Sequence, residues 1–525
     1  MIERRTFLAT GISALALARA HGPCLAASAS LPSPPVRIAA RNPTGRYVRK
    51  LARTLAHRPF KPPAATQKGA LAGLGYDGYR EIRFRADKAL WRNEDLGFEV
   101  QFFPSGYLYA TAVDIFLVDG GRTRRVRPNP AHFDFGGLGL GASETALLGF
   151  SGFRIHAPLN RRDHYDEFLV FQGASYFRGV GKGHLYGLSA RALALHTASS
   201  VAEEFPDFRS FWIERPATPQ SIVVHALLDS PSVAGAFTFV ISPGRETLVD
   251  TEATLFPRRM LANVGLAPLT SMFLKNAHDP SGPLDFRPAI HDSDGLAVWN
   301  GQDERLWRPL LSPPMFQASY FGDRDPKGFG LIQRERRFDD FQDLEAHYER
   351  RPSAWVAPEG GWGAGSVELV EIPTDVEYVD NIVASWRPEA ALPAYRAYEY
   401  AYRLAWLNDV PDLDLMRVHK TRIGNGSRPN TVRFVLDFAR ERAIEKVAGS
   451  NAIIADAPQI SIPDIDLSSD AGTLANTVVQ PNPHLPGVRV TFELDPGTAT
   501  QVEMRLALST AGQRSSETWL YRWSA

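Results

Sequence analysis

The 525-residue chain has one cysteine, no excess of charge of either sign and no apolar run long enough to cross a membrane. Each shortage excludes a class of function. Cys24 falls within the first 29 residues, so the rest of the chain is without disulfides, thiol catalysis or zinc–thiolate sites. The preceding His21-Gly22-Pro23 is not a lipobox, so lipidation is not expected. Basic and acidic residues number 58 each, and removing residues 1–29 subtracts three arginines and one glutamate, leaving a net charge of −2. Such a chain has no overall field drawing it to nucleic acid. Serines stand in no Gly-x-Ser-x-Gly elbow. Gly181-Lys182-Gly183 and the glycines from Gly360 to Gly365 lack the phosphate-loop pattern, and the histidines lack metal-ligand spacing. Asp292-Ser293-Asp294-Gly295 opens like a calcium loop, but the rest of that ligand set is missing. His291 beside it reads as a hydrogen-bonded structural histidine. No cofactor or metal is expected, and carboxylates are the only catalytic candidates.

What is present begins with an address. Arg4-Arg5-Thr6-Phe7-Leu8 is a twin-arginine opening, Phe7 to Ala18 is apolar but too short to span a bilayer, and Ala27-Ser28-Ala29 is a small-residue cleavage site. Residues 1–29 are therefore expected to direct export to the periplasm by the twin-arginine route and to take no part in the fold.

The rest reads as β structure. With 42 glycines and 39 prolines the chain is rich in turns. Short runs of alternating polarity recur between them: Ile82–Arg85, Phe98–Phe102, Phe168–Phe171, Ile222–Leu228 and Phe237–Ile241. Alternation with period two puts one face on a core. No fixed repeat stands out, which excludes a propeller or solenoid. Two helices are expected. One covers Tyr47 to His57 with Tyr47, Leu51 and Leu55 on its apolar face. It reads as a surface helix packed on a sheet, with contact to an anionic membrane as the alternative. The other runs from about Asp340 to Arg350 on a stripe of Phe341, Leu344 and Tyr348, ended by Pro352. Residues 388–395, bracketed by Pro388 and Pro393, read as a linker between a large domain, 36–387, and a small one, 396–525. The small domain opens with alternating Tyr398, Tyr400, Tyr402, Leu404 and Trp406. Later strands there are Val432–Leu436, Val488–Phe492, Val502–Leu506 and Trp519–Trp523. The expected fold is all-β: a large N-terminal sandwich followed by an immunoglobulin-like sandwich.

Two acidic segments containing tryptophan carry the chemistry. One is Arg287-Pro-Ala-Ile-His-Asp292-Ser-Asp294-Gly-Leu-Ala-Val-Trp299. The other runs from Val367 through Glu371, Asp375, Glu377 and Val379-Asp380-Asn381-Ile382-Val383 to Trp386. An indole ring can cover the face of a pyranose, while carboxylates bind hydroxyls or move protons at a glycosidic oxygen. On residues alone, Asp294, Glu371, Asp375 and Glu377 read as hydrogen-bond acceptors at strand ends.

These segments, together with Leu266–Phe273, Asp87–Arg92, Tyr165–Arg178, Tyr186–Arg191, Glu203–Pro206, Phe211–Pro216, Trp307–Leu310, Gly328–Arg334 and Tyr348–Ser353, closely resemble the periplasmic glucan biosynthesis proteins of proteobacteria. That family is OpgG/OpgD, or MdoG/MdoD, and the twin-arginine opening is closer to the OpgD type. The likeness is dense from about Arg83 to Trp386 and thinner beyond. It implies a galactose-mutarotase-like large sandwich, a small immunoglobulin-like one, and action on the β-1,2-linked backbone of osmoregulated periplasmic glucans. By motif it implies an inverting β-1,2-glucanase with Asp380 as general acid and Asp292 as general base. Substrate contacts are expected from Arg287, Asp294, Trp299, Tyr348, Arg351, Trp355, Trp362 and Tyr165. A transglycosylase or cyclising enzyme, and a non-catalytic glucan-binding factor assisting the synthase, are the alternatives. The expected partner is β-1,2-glucan, with the membrane glucan synthase and a second copy of the chain left open.

Overall fold

The computed structural model describes residues 42–64, 71, 73–141, 145, 148–279, 282–410, 415–440 and 462–525. The proposed export segment lies outside them. Among the described residues the chain is nearly all strand, as its alternation predicts, and two large sheets face each other. One has ten strands, running from Glu99–Pro104 through Phe150–Arg161 and His164–Gln172 to Val264–Ser271, Ile382–Pro388, Ala364–Glu371 and the edge strand Gln317–Arg324. The other has fifteen and includes Asp207–Glu214, Ile222–Asp229, Val233–Ser242, Thr247–Pro257, Tyr398–Leu407, Ser353–Glu359, Gly328–Ile332, Gly295–Trp299 and Arg305–Pro309.

Aromatic side chains close the space between the sheets. Phe153 meets Phe211 edge to face at 5.0 Å, Phe171 lies 5.3 Å from Phe239, and Phe177 lies 5.9 Å from Trp406. Each such ring withdrawn from water contributes about 1.5–3 kcal/mol. Trp406 comes so close to the opposite sheet that a Cβ on Gly179 would sit 2.5 Å from its ring, so only glycine fits there.

The structure moves the expected domain boundary. Tyr398–Leu407 pairs antiparallel with Thr247–Pro257 on one side and Ser353–Glu359 on the other, inside the large sheet. Its alternate residues Tyr400, Tyr402, Leu404 and Trp406 belong to the large core. Pro388 to Pro393 is no free tether either, because Leu392 is buried and its backbone exchanges hydrogen bonds of 2.9 Å with Leu261. Alternation identifies a strand but does not say which sheet receives it. The C-terminal unit starts beyond Leu407. Arg417–Asn425, Val432–Ala439, Gly487–Asp495 and Thr473–Asn482 form its own four-stranded sheet. The facing strands, Asp464–Ser469, Gln501–Thr510 and Thr518–Ser524, extend the large sheet: Thr518 and Trp519 pair in parallel with Leu306 and Trp307. One apolar cluster joins Trp307, Ile332 and Trp355 to Phe434, Phe492 and Trp519, so the two units share a core.

Both helix expectations need correction. The first helix, α1, spans Pro43–Ala56, capped by the Asn42 side chain, which accepts from the amides of Thr44 and Gly45. It packs on the large sheet as expected, with Leu51 and Leu55 half-buried against the cluster of Trp212, Leu227 and Phe256, but the fully buried positions are Gly45, Val48, Ala52 and Ala56, and Tyr47 stays 53% exposed. Small residues allow the closest approach of helix to sheet, so they take the buried face. The second helix is replaced by one turn at Phe338–Phe341 and a 3-10 turn at Tyr348–Arg350. Gln342 and His347 are left-handed, and Asp343 accepts from the amides of Glu345 and Ala346. An aspartate that satisfies its own following amides competes with the helix. Phe341 and Tyr348 are buried, but Leu344 is 76% exposed.

Candidate active site

The two aspartates that the family resemblance singles out lie far apart in sequence, and the segments that carry them flank one short stretch, Ser271 to Phe273. Ser271 pairs with Ile382, and Phe273 pairs with His291. The amide of Asp292 donates to the Met272 carbonyl at 2.9 Å. From the other side the Asn381 carboxamide accepts from the Phe273 amide at 2.8 Å and donates to the Phe273 and Ile372 carbonyls at 2.8 and 3.1 Å. Asn381 is fully buried, so these bonds fix the backbone beside Asp380. Beneath them Met272, Leu274, Ile290, Phe341 and Tyr348 form a separate apolar cluster that stiffens the floor.

The surroundings of the two carboxylates differ. Asp292 is 1% exposed and ion-paired with Arg351, whose guanidinium also lies 4.3 Å from the Tyr348 ring centroid. Burial pushes the Tyr348 phenol well above its usual value, so it is a neutral donor, and it donates to Glu377 Oε2 at 2.7 Å. Arg287 donates to the same oxygen at 2.7 Å and to Asp343 at 2.7 Å, and its bonds hold Asp285 at about 2. A continuous polar chain therefore runs from Asp292 through Arg351, Tyr348 and Glu377 to Arg287. Glu377 sits three residues before Asp380, which is half-buried in the same loop. Arg287, Asp292, Tyr348 and Arg351 are thus linked through side-chain contacts, and Asp380 follows Glu377 in the adjoining loop.

A buried layer lies behind Asp292. The Asp294 carboxylate accepts from the Arg334 amide at 3.2 Å, and burial pushes it up to about 6. Burial would raise Glu335 as well, but His291 at 3.8 Å and Lys420 at 3.3 Å outweigh it and hold Glu335 at about 2. Gln333 donates to the carbonyls of His291 and Tyr348 and clamps the two halves of the site. Among the other carboxylates, Glu371 is a strand-end acceptor as expected, receiving the Leu311 amide at 2.7 Å, while Asp375 stays exposed in its loop. Glu377 departs from that description, since two segments converge on it.

The remaining aromatic candidates lie elsewhere. Trp355, 2% exposed, covers Gly328, and Trp362, 6% exposed, packs near Trp386 and donates to the Ala401 carbonyl. Neither offers a ring face to a sugar. Trp299 is at the far end of its strand from Asp294, roughly 17 Å along at the rise of a strand, with the Arg305 guanidinium on its ring. Tyr165 belongs to His164–Gln172, three strands away from Val264–Ser271. An indole is the largest apolar side chain, and in an all-β chain the core takes it first. The missed residues are Asn381, Gln333, Asp343 and Asp285. Asn381 adjoins Asp380 in sequence, but its three buried bonds have no sequence signature.

The profile described as "Periplasmic glucan biosynthesis protein, MdoG" matches residues 45–523. The chain belongs to this family. Relatives include Glucans biosynthesis protein G of Rhodopseudomonas palustris, 48% identical over 481 residues, covering 91% of this chain and 92% of the relative. The protein of the same name from Shewanella frigidimarina is 47% identical, covering 90% and 83%, and that from Vibrio cholerae 45%, covering 90% and 86%. Among solved structures, an α-galactosidase of Geobacillus stearothermophilus aligns with 49% of this chain and 40% of its own at 8% identity and a TM-score of 0.24. The MdoG match embraces both carboxylate segments and nearly all of the C-terminal unit.

Proposed function

We propose that this MdoG-family protein cleaves the β-1,2-linked backbone of periplasmic glucans by an inverting acid–base mechanism. The observation that supports the reading is that the segments carrying Asp292 and Asp380 both flank Ser271–Phe273, with Arg351, Tyr348 and Arg287 linked to Asp292 and to the loop of Asp380. Asp380, in the more open loop, gives a proton to the glycosidic oxygen as the bond to the anomeric carbon breaks. Asp292 takes a proton from the attacking water, directly or through a relay. Arg287, Tyr348 and Arg351 hold sugar hydroxyls around the scissile bond. Inversion requires room for that water on the face opposite the leaving group.

A transglycosylase would use the same acid and pass the glycosyl unit to a sugar hydroxyl. Incubating the protein with linear β-1,2-glucan and resolving the products by mass decides the matter. Shortened linear chains are expected. Products lacking one water would mean cyclisation, and unchanged glucan under conditions of demonstrated binding would reduce the protein to a glucan-binding factor serving the membrane synthase. Export through residues 1–29 by the twin-arginine route and a likeness to the D-type members belong to the same proposal.

A further inference from the structure

On the opposite side of the sheet from the facing-sheet core, α1 presents a second surface whose chemistry owes nothing to the carboxylates. Arg46, Lys50, Arg53 and His57 follow one another at steps of three and four residues, with Arg49 beside them, so they form a single stripe along the helix. The opposite face, Val48, Ala52 and Ala56, is consumed by the sheet, and the stripe points outward, exposed along its length. These five residues line one open cavity of about 550 Å³ together with Ala56, Phe256, Tyr395 and Ala397, and that lining holds no carboxylate. Arg49 is ion-paired with Glu399 at the margin. Among the described residues, Arg46, Lys50 and Arg53 make no ion pair. Like charges at these spacings repel, and a chain with equal numbers of acids and bases had ample means to neutralise them.

A second observation concerns the rim. Tyr395 is 63% exposed, stacked 5.5 Å from His57, and held at φ +59° while its backbone amide donates a hydrogen bond to the Pro257 carbonyl. A bulky residue in the left-handed region is strained, and here the strain presents an aromatic ring to solvent beside four cations. Met260, 68% exposed, stands on the segment following Pro257, where Arg258 is paired with Asp229 and donates to the carbonyls of Leu55 and Arg58, and Arg259 is paired with Glu204. The cations of the α1 stripe beside a protruding aromatic ring, with a thioether nearby, are the arrangement that adsorbs to an interface of anionic headgroups over an apolar interior.

We propose that the outer stripe of α1, with Tyr395 and Met260, docks this protein reversibly on an anionic phospholipid surface. The cations pair with headgroup phosphates, and the Tyr395 ring and Met260 enter the interfacial layer. The sheet-facing side of α1 stays in place, so docking requires no refolding.

Sedimentation with vesicles tests it, using the chain without residues 1–29 and comparing phosphatidylglycerol–phosphatidylcholine mixtures with pure phosphatidylcholine. Binding only to the anionic vesicles is expected, falling at least tenfold between 50 and about 500 mM salt as screening shortens. Arg46→Gln, Lys50→Gln and Arg53→Gln combined should lower it at least tenfold, and Tyr395→Ser severalfold, while melting temperature and glucan turnover match the parent. Equal binding by the triple variant, or equal binding to neutral vesicles, overturns the proposal. So does a parent that ignores vesicles and instead takes up glycerol phosphate or inorganic phosphate, which would make the stripe a small-anion site.

Discussion

The two acidic segments look alike in sequence, each an acidic stretch leading into an apolar strand that carries a tryptophan, yet the fold treats them differently. In the first, the aspartates precede Gly295–Trp299 and are drawn into the interior: Asp292 is 1% and Asp294 6% exposed, one ion-paired with Arg351 and the other bonded to a backbone amide. In the second, Glu377 and Asp380 stay in a half-exposed loop before Ile382–Pro388, and only Asn381 is buried to anchor it. One carboxylate half is held by buried partners; the other stays half-exposed. The proposed hydrolysis would gain from that asymmetry, with water activated at the buried carboxylate and the chain received at the open one.

The largest expected effect separates activity from stability. Asp380→Asn should lower turnover of β-1,2-glucan by about 10²–10⁴, the usual worth of a general acid, and leave the melting temperature nearly unchanged because the loop is half-exposed. Asp292→Asn should match it in activity but also weaken the fold, since it dissolves a buried ion pair. Thermal unfolding and kinetics measured on both variants settle the contrast; equal stability losses, or parental rates in folded Asp380→Asn, would break it.

Next comes Arg351→Ala. It leaves Asp292 buried without its cation, and stranding one partner of such a pair costs about 3 kcal/mol or more. Denaturant unfolding should register that loss, and Asp292→Asn in the same background should recover part of it. No recovery would mean that Arg351 matters for its contact with the Tyr348 ring and not for its charge.

The smallest effect depends on pH. Asp294 is held at about 6 against an unfolded value of 3.8, because burial disfavours its charged form. The folded state therefore binds its proton more tightly, a contribution complete below pH 3.8 and lost as pH rises through 6. Asp294→Asn should be close to neutral at pH 4 and should stabilise the protein at pH 8 by about 3 kcal/mol. A pH-independent difference between variant and parent would show that Asp294 does not titrate in this window.

Much of this architecture was legible beforehand. Period-two alternation located the strands because a half-buried strand imposes that pattern on its own residues, as Gln501–Thr510 illustrates. α1 was visible for the same reason at helical period, although which of its faces is buried depended on the sheet beneath it. Family motifs drew attention to the neighbourhood of Asp292 and Asp380, since a motif is a short string that can be read locally. The sequence alone determined an all-β fold, a neutral chain without thiols beyond its first residues, and carboxylates as its only catalytic candidates. Tertiary structure decided what those strings do together: that Tyr398–Leu407 joins the large sheet, that Trp355 and Trp362 vanish into cores, that Glu377 is where Tyr348 and Arg287 converge, and that a cationic stripe is left on α1. Those outcomes rest on pairings between distant segments, and a local pattern records how a segment is shaped without recording which neighbour will satisfy it.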